Sequence, residues 1–453
     1  MKLQHLPRNH ALPSLKNEIH STDFANRFQK LKQEFGSFMP ALLDRRWALP
    51  TPDTKIHRVA LSKLDQKLGE GRSGLSFSID AQPNMSHELI VNGRGRPSFY
   101  VVRDDLLHPL VNGNKARKLD GLLPLLEDHS ITDVVTCGGC QSAHAAAVAV
   151  SCAERGIRSH LLLRGEQPDI PTGYNLISSM YGNTVYVPRS LYAKREEMLR
   201  QNADLVASST GSVLWLNDIL NKPSSMHEYE NANYMPVDAC GNAHQGEKPK
   251  KKVVIVNEGA GGATALLGLI RLVKYLSQVH LLGKVKPIDI VIDSGTGTSA
   301  VGLALGAICF GLPWEVTAVM LADTLEGYKQ QEKRLISDFM ERYNLHFAHD
   351  MLNEADGIVH WVERVHPRKF GNVLKGEVEE CQKIARETGV LVDPIYTLAA
   401  WERAMLLCQR KAEDDANVVM IHTGGTLGMF GLAQRYKSYF HGLEGRAPTS
   451  ERL

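Results

Sequence analysis

A lysine beside a glycine-containing turn is the first candidate for chemistry in this chain. Lys115 lies in the segment Val111-Asn-Gly-Asn-Lys-Ala-Arg-Lys-Leu119, just before a predicted amphipathic helix. The positive end of the helix disfavours an ammonium group nearby, and the charges of Arg117 and Lys118 act in the same direction. Because a lysine with a lowered pKa forms Schiff bases, the segment predicts a reactive amine. The alternative is a solvated basic turn.

A first glycine-containing loop follows a predicted buried strand and precedes a helix. Its sequence is Thr136-Cys-Gly-Gly-Cys-Gln-Ser-Ala-His144. The glycines let a small anion approach the backbone, and the helix start offers free N–H groups, so a substrate carboxylate would fit there. Cys137 and Cys140 could instead form a redox pair or half of a zinc site. No second Cys or His pair has the spacing of metal ligands, so we predict no metal site.

A second glycine-containing loop, Asp293-Ser-Gly-Thr-Gly-Thr-Ser299, also lies between a predicted strand and a helix. Gly295 and Gly297 leave the backbone accessible, and Thr296 and Thr298 add hydroxyl donors. This combination is typical of a phosphate-binding loop. The glycines also approximate a dinucleotide fingerprint, but the third glycine comes late, and NAD binding would leave the lysine unexplained.

Two C-terminal segments carry further polar residues at predicted strand ends, where ligands bind in open parallel sheets. They are Leu391-Val-Asp-Pro-Ile-Tyr-Thr397 and Met420-Ile-His-Thr-Gly-Gly425. Tyr396 could stack on a flat ring or carry a proton, and Thr397 and Thr423 could donate hydrogen bonds. Each of them alone could equally be an ordinary turn residue, so their joint placement is the argument.

The elements that must position these residues alternate between short apolar runs and helical stretches from Phe99 onward. Runs that are nearly all apolar are typical of buried parallel strands, so the fold class predicted is α/β with parallel sheets covered by helices. The predicted strands are Phe99–Val102, Ile131–Thr136, His160–Leu163, Thr184–Val187, Val253–Val256, Ile288–Ile292, Val316–Met320, Val390–Val392 and Val418–Ile421. The predicted helices are Gln141–Arg155, Thr298–Phe310, Thr324–Tyr343, Asn372–Thr388 and Thr397–Lys411.

The chain has 453 residues, with 52 basic and 50 acidic side chains. This balance argues against binding to nucleic acid or to a membrane surface, and no apolar run is long enough to span a bilayer. Seven cysteines spread over the chain favour a reducing compartment. The first residues are basic and contain no acid, so they predict a mitochondrial transit peptide, with an unstructured cytoplasmic tail as the alternative.

Five motifs in order make the sequence similar to the family of D-cysteine desulfhydrases and 1-aminocyclopropane-1-carboxylate (ACC) deaminases. The resemblance runs from about Arg103 to Leu432. It implies a tryptophan-synthase-β-like fold, fold type II of the enzymes that depend on pyridoxal 5′-phosphate (PLP). The motifs are Gly113-Asn-Lys-x-Arg-Lys-Leu119, Gly138-Gly-x-Gln-Ser142, Ser294-Gly-Thr-Gly-Thr298, Asp393-Pro-x-Tyr396 and His422-Thr-Gly-Gly425.

The resemblance implies two α/β domains with PLP between them. The large domain would comprise residues 51–117 and 226–453, with insertions near 62–97 and 221–252. The small domain would comprise residues 118–225, and residues 1–50 would form an N-terminal extension.

The resemblance also implies roles for individual residues. Lys115 would hold PLP as a Schiff base and move the α-proton of the substrate, Ser142 would contact the substrate, and Tyr396 would face the ring or the leaving group. The remaining residues implied in cofactor binding are Asn114, Gly295, Thr296, Gly297, Thr298, Thr397 and Thr423.

Two positions distinguish the branches of this family. ACC deaminases have Glu directly after the tyrosine and Leu directly before the paired glycines, whereas this chain has Thr397 and Thr423. A carboxylate opposite the pyridine nitrogen maximises the electron sink, and a threonine weakens it, which β-elimination of hydrosulfide tolerates. Departures from the family pattern are Ala143 in place of Asn, and Leu398-Ala399 in place of Gly-Lys.

The function predicted is that of a PLP-dependent carbon–sulfur lyase acting on a small amino acid. D-Cysteine would give pyruvate, ammonia and hydrogen sulfide, and the family suggests a homodimer. The alternatives are ACC deamination to 2-oxobutanoate and ammonia, desulfhydration of L-cysteine, and a non-catalytic PLP-binding protein.

Overall fold

The computed structural model describes residues 38–63, 75–83, 96–221, 250–345, 357–410 and 417–443. The predicted transit peptide and most of the predicted insertion at 221–252 lie outside these residues. Within the described part of the chain, no helix is both long and apolar enough to cross a membrane.

Among the described residues, twelve strands form two separate sheets, and the larger sheet has seven strands in the order β11-β10-β9-β12-β3-β1-β2. The five strands from β11 to β3 are parallel, because each is followed or preceded by a helical crossover. β1 pairs antiparallel with both β3 and β2. The bounds are β1 Ile56–Lys63, β2 Leu75–Asp80, β3 Ser98–Val102, β9 Ile288–Ser294, β10 Trp314–Met320, β11 His360–Glu363 and β12 Asn417–Ile421.

The smaller sheet has five strands in the order β6-β5-β4-β8-β7, and all its pairings are parallel. Together the two sheets confirm the predicted α/β class. The bounds are β4 Asp133–Gly139, β5 Arg158–Arg164, β6 Asn183–Val187, β7 Ser212–Trp215 and β8 Lys252–Val256.

Helices cover both sheets. In the first part of the chain they are α1 Gly113–Asp120, α2 Leu123–Asp128, α3 Ala143–Ala153, α4 Gly173–Tyr181, α5 Arg189–Tyr192, α6 Arg195–Ala207 and α7 Leu216–Asn221. In the second part they are α8 Ala263–Leu276, α9 Thr298–Cys309, α10 Leu325–Arg342, α11 Glu377–Thr388, α12 Thr397–Arg410, α13 Gly428–Arg435 and α14 Lys437–Phe440.

Strand β9 shows why the central strands read as continuous apolar runs. All seven of its residues are buried, because helices pack on both faces of the sheet. Ile290 and Ile292 pack into a core with α8, α9 and α10, whereas Val291 packs into a second core with Trp401 of α12. Successive side chains of a strand point to opposite faces, so Asp293 is on the face of Val291.

Three predictions about these elements need correction. The predicted irregular insertion at 62–97 contains β2, whose Phe77 packs edge-on against Trp401 at 5.5 Å between ring centroids. Residues 390–392 are not a strand, although Val390 and Val392 are buried in the core with Trp401. Their apolar pattern reflects burial alone, because the segment has no strand partner.

The third correction concerns the small domain, which we predicted to end at residue 225. Strand β8, at Lys252–Val256, pairs with β4 and β7 of the five-stranded sheet. The chain therefore returns to the seven-stranded sheet only after β8. The two-domain division itself remains a prediction. In the predicted N-terminal extension, residues 38–43 are helical, and Met39, Leu42 and Leu43 are buried in the main core.

Candidate active site

Lys115 lies in the first turn of α1, not before the helix as its sequence context predicted. The start of this helix is fixed against the loop that follows β12. Gly113 has a φ of +61°, and a Cβ built on it would lie 1.9 Å from the carbonyl oxygen of Thr423. The backbone N–H of Asn114 donates to that same oxygen at 3.2 Å. Only glycine permits this approach, so the Gly-Asn-Lys sequence places the amine beside Thr423.

The side chain of Lys115 is half-buried, and hydrogen bonds hold its amine in place. Its Nζ donates to Oδ1 of Asn114 at 2.9 Å, and the Nδ2 of Asn114 donates to the Ser299 hydroxyl at 3.2 Å. Burial lowers the pKa of Lys115 to about 8, and the carboxylate of Asp293 opposes this shift. Burial is therefore the cause, not the charge of Arg117, which is bound to Asp104 in a buried ion pair.

The second glycine-containing loop begins α9 directly after β9, as predicted. Gly297 has a φ of +81°, and the hydroxyls of Thr296 and Thr298 lie 3.2 Å apart. The Tyr328 hydroxyl lies 2.6 Å from the carbonyl oxygen of Ser294 and 2.9 Å from that of Gly295. Because the Tyr328 hydroxyl contacts these two carbonyls, it fixes the backbone of the loop. The loop hydroxyls and the N–H groups at the start of α9 then remain available for an anion.

Lys118 is a site residue that the sequence reasoning treated only as a neighbouring charge. Its Nζ lies 3.4 Å from the Thr296 hydroxyl and 3.3 Å from the carbonyl oxygen of Gly259. The side chain is buried, and its pKa is lowered well below the ordinary value by burial and then by the charge of Lys115. The sequence signal that could have identified Lys118 is its spacing from Lys115, because residues three apart lie on the same face of a helix.

Ser142 caps the start of α3, where its hydroxyl accepts a hydrogen bond from the N–H of Ala145 at 3.2 Å. A Cβ on Gly138 would lie 2.4 Å from this hydroxyl, which explains that glycine. His144 follows in the same turn. Burial, with the charges of Lys115 and Lys118, lowers its pKa to about 3, so the start of α3 lies close to both lysines. His144 is therefore neutral at physiological pH.

Tyr396 lies against the predicted phosphate loop, because a Cβ on Gly295 would be 3.5 Å from its ring. The turn before α12 that carries it is held by Asp393. The Asp393 carboxylate accepts hydrogen bonds from the N–H groups of Ile395, Tyr396 and Thr397, and from the Thr397 hydroxyl at 2.9 Å. Burial and the charge of Asp393 raise the pKa of Tyr396, so its phenol keeps its proton.

Thr423 donates its hydroxyl to Oδ1 of Asp293 at 2.6 Å. Burial raises the pKa of Asp293 to about 7. The sequence reasoning used Asp293 only as the first residue of a loop, and no local signal marked its burial. The structure thus joins Asn114, Lys115, Thr296, Thr298, Tyr396 and Thr423 through direct contacts around α1 and the loop after β9. Ser142 and Thr397 make their hydrogen bonds within their own segments.

Among the described residues, no group of three or more His, Cys, Asp or Glu side chains could hold a metal ion. Cys137 is buried and Cys140 half-buried, and neither forms a disulfide.

Comparison with known proteins identifies the family. No family model matches the chain. A protein of Oryza sativa subsp. japonica named "Putative D-cysteine desulfhydrase 2, mitochondrial" is 52% identical over 402 residues, which are 87% of this chain and 93% of the rice protein. The chain belongs to the D-cysteine desulfhydrase and ACC deaminase family. The resemblance to this family that the five motifs predicted is confirmed.

Other family members are more distant. A bifunctional D-cysteine desulfhydrase/ACC deaminase, mitochondrial, of Arabidopsis thaliana is 24% identical over 366 residues, or 78% of this chain and 79% of that protein. A solved structure described as an ACC deaminase homologue has a TM-score of 0.57 and 21% identity, covering 79% of this chain and 91% of that one. This likeness and the family confirm the predicted fold type II of PLP-dependent enzymes.

Proposed function

We propose that this protein is a PLP-dependent carbon–sulfur lyase that converts D-cysteine to pyruvate, ammonia and hydrogen sulfide. The observation that carries the proposal is a half-buried lysine, Lys115, with a pKa of about 8, beside a glycine- and threonine-lined loop that contacts a second lysine, which is buried. The name of the rice relative supports the substrate.

The donor set of the site fits PLP. Lys118 has a buried amine whose neighbours are a carbonyl and a hydroxyl, and no carboxylate within the described residues forms an ion pair with it. A buried amine in this position gains a partner when a phosphate dianion binds, since buried charges are stabilised by pairing. The hydroxyls of Thr296 and Thr298, with the backbone of Gly295 and Gly297, complete the predicted phosphate site.

PLP supplies an electron sink for the bond that breaks at the α-carbon, and the protein supplies the proton transfers and the positioning. Lys115 would hold the cofactor, and its Nζ would take the α-proton of the substrate. A pKa of about 8 leaves a useful fraction of neutral amine near pH 7. The C–S bond then breaks, hydrosulfide leaves, and water completes the release of pyruvate and ammonia.

Two further side chains are assigned to the substrate. Ser142, at the start of α3 beside the lysines, is assigned to contact with the substrate. Tyr396 is half-buried against Gly295, and its phenol keeps its proton, so it can donate to the leaving sulfur or face the ring. The unused N–H groups at the start of α3 suit the substrate carboxylate, apart from that of Ala145, which Ser142 already binds.

ACC deamination is the second candidate, since the Arabidopsis relative is named for both activities. Against it stand Thr397 and Thr423 in place of Glu and Leu. The Thr397 hydroxyl is bound to Asp393, and the Thr423 hydroxyl to Asp293, so both threonines have defined partners in this structure. We expect Thr397→Glu combined with Thr423→Leu to raise ACC deamination, and no gain would contradict that assignment.

The deciding assay measures sulfide and pyruvate from D-cysteine with the PLP-loaded protein, alongside L-cysteine and ACC. Equal amounts of the two products from D-cysteine support the proposal. Turnover of L-cysteine alone or of ACC alone would replace it with the corresponding activity. No turnover of any of the three, with the cofactor bound, would favour a non-catalytic PLP-binding protein.

We further propose a mitochondrial location, because the rice and Arabidopsis relatives are both named mitochondrial. A fusion of residues 1–50 to a fluorescent reporter tests it, and a diffuse cytoplasmic signal would contradict it. A homodimer is proposed from the family, and the exposed apolar residues Leu176, Met180 and Val185 form one surface that a second copy could cover. Light scattering on the purified protein measures the oligomeric state.

A further inference from the structure

Asp293 is a buried carboxylate that the reaction proposed above does not use. It directly precedes Ser294 at the end of β9, before the phosphate loop, and is only 4% exposed. The Thr423 hydroxyl, at 2.6 Å from Oδ1, is the one side-chain donor to this carboxylate among the described residues. Besides Thr423, only its own backbone N–H lowers the pKa of Asp293 by hydrogen bonding, and burial still raises that pKa, so the ionised carboxylate is costly to keep in this place.

Asp393 shows how this protein treats a carboxylate that serves structure alone. Four donors satisfy it, three from the backbone of the turn that carries Tyr396 and one from Thr397. Asp293 organises no turn in this way. Its unused lone pairs therefore point to a role in the site and not in the fold.

Asp293 is linked to the reactive lysine through Thr423. The Thr423 carbonyl oxygen anchors Asn114 at 3.2 Å, while the Thr423 side chain binds Asp293. The charged groups that act on Asp293 are Lys115, which lowers its pKa, and Asp393, which raises it. A positive charge added at this site would act in the same direction as Lys115 and favour the ionised carboxylate.

The direction of the Thr423–Asp293 hydrogen bond decides what Thr423 offers to a ligand. A threonine hydroxyl has one proton and two lone pairs. An ionised carboxylate can only accept, so the proton of Thr423 lies toward Asp293 and the oxygen presents lone pairs elsewhere. Of the two threonines at the positions that distinguish the family's branches, Thr397 both accepts from and donates to Asp393, whereas Thr423 keeps lone pairs. Thr423 could therefore accept a hydrogen bond from a protonated ring nitrogen, but it could not donate one to an unprotonated nitrogen.

We infer that Asp293 is a positioning residue that acts through Thr423 to favour the protonated form of the ring nitrogen of the bound cofactor. The inference rests on the PLP assignment of the proposed function. A protonated ring nitrogen withdraws electrons from the α-carbon more strongly than a neutral one. Asp293 thus restores part of the electron sink that a threonine hydroxyl alone would not provide.

The test follows the ring nitrogen directly, using PLP isotope-labelled at that nitrogen and nuclear magnetic resonance across a pH series. It compares the wild-type holoenzyme with Asp293→Asn, Thr423→Val and the double variant. Asparagine keeps the shape of the side chain, so Asp293→Asn should fold. It removes the negative charge, and because its amide can donate as well as accept, it no longer fixes the proton of Thr423 toward residue 293. We expect the midpoint for losing the ring proton to fall by about one to three pH units in each single variant. The double variant should show no further fall, because both changes interrupt the same hydrogen-bond connection from Asp293 through Thr423 to the ring nitrogen.

Asp289→Asn is the matched control, since it removes another buried carboxylate of β9 at a distance of roughly 13 Å along the strand. Its midpoint should match the wild type. An unchanged midpoint in Asp293→Asn overturns the inference, and so does a fall in Asp293→Asn that Thr423→Val does not share. If the wild-type protein forms no covalent complex with PLP, the proposed function is contradicted, which is a different result from either of these.

Discussion

Lys115 and Lys118 lie three residues apart on α1, where Lys115 is half-buried and Lys118 is buried, and their surroundings differ. Lys115 donates to the side chain of Asn114, and the carboxylate of Asp293 acts on its pKa. Lys118 contacts the carbonyl of Gly259 and the hydroxyl of Thr296. Lys115 therefore has a nearby negative charge that supports proton exchange. Lys118 lies where an external anion would bind.

Burial alone therefore does not define a catalytic lysine. Desolvation lowers the pKa of both amines, so a lowered pKa by itself would not distinguish them. In the proposed function, the neighbouring groups are the reason to assign Lys115 to covalent chemistry and Lys118 to phosphate binding. Changes at the two positions should consequently have different signatures, and those differences provide the tests below.

The largest effect is expected for Lys115→Ala. Losing the amine removes both the covalent link to the cofactor and the base for the α-proton, so sulfide release from D-cysteine should fall by roughly 10³-fold or more. The visible absorbance of the lysine-bound cofactor should disappear as well. If this variant kept that absorbance and turned over, the assignment of Lys115 would be wrong.

The next effect concerns the pH dependence of cofactor loading. Only the neutral amine attacks an aldehyde, and the pKa of Lys115 is about 8. We expect the rate at which apoprotein binds PLP covalently to rise about tenfold per pH unit below pH 8 and to level off above it. Stopped-flow absorbance measures the rate.

Two variants test what sets the midpoint of this pH dependence. Asp293→Asn should move the midpoint of the loading rate to lower pH, because the carboxylate opposes the effect of burial on Lys115. Lys118→Met should leave the midpoint in place, since the charge of Lys118 is not among the groups that shift Lys115. A midpoint near the ordinary lysine value in the wild type would contradict the burial argument.

Lys118→Met should weaken cofactor binding more than it changes the chemical step. A charge-assisted hydrogen bond contributes about 1.5–3 kcal/mol, which corresponds to a roughly 10- to 100-fold rise in the dissociation constant of PLP. At saturating PLP, kcat should stay within a fewfold of the wild type. A loss of kcat as large as that of Lys115→Ala would mean that the two lysines do not have separate tasks.

The smallest effect is expected for Tyr328→Phe, which removes a support beneath the phosphate loop. The hydroxyl accepts from the N–H groups of Leu321 and Ala322 and binds the carbonyls of Ser294 and Gly295. The free energy of unfolding should fall by about 1–3 kcal/mol, because buried groups lose partners. PLP affinity should fall only a fewfold, as measured by equilibrium titration.

Tyr186→Phe is the control for that variant, because it also removes a phenol hydroxyl. Tyr186 lies on β6 of the five-stranded sheet and pairs with Asn175 of α4. We expect its PLP affinity to match the wild type. Equal losses of affinity in the two variants would show that support of the loop by Tyr328 has no specific effect on the cofactor site.

Much of the central fold could be predicted from the sequence. Strands such as Ile288–Ser294 are buried on both faces, so their apolar runs are visible without tertiary information. β1, β2, β7 and β11 were not predicted. β2 and β11 are only partly buried, and their sequences lack a long apolar run. β7 is apolar from Val213 to Trp215, but it has only four residues. Val390–Val392 was wrongly predicted as a strand. The segment is apolar because it is buried, but a strand also needs a partner strand in a sheet.

The sequence by itself determined the family, the parallel α/β class and the candidate residues Lys115, Thr296, Thr298 and Tyr396. It could do so because the glycines, hydroxyls and the lysine occur in short local motifs whose chemistry is set by residue type and spacing. The assignment of Lys118 and Asp293 to the candidate active site follows only from the folded structure. Their roles depend on burial and on contacts with residues more than 100 positions away, such as Thr296 and Thr423. Desolvation and hydrogen-bond partners are properties of the folded chain, so no local sequence pattern could assign them.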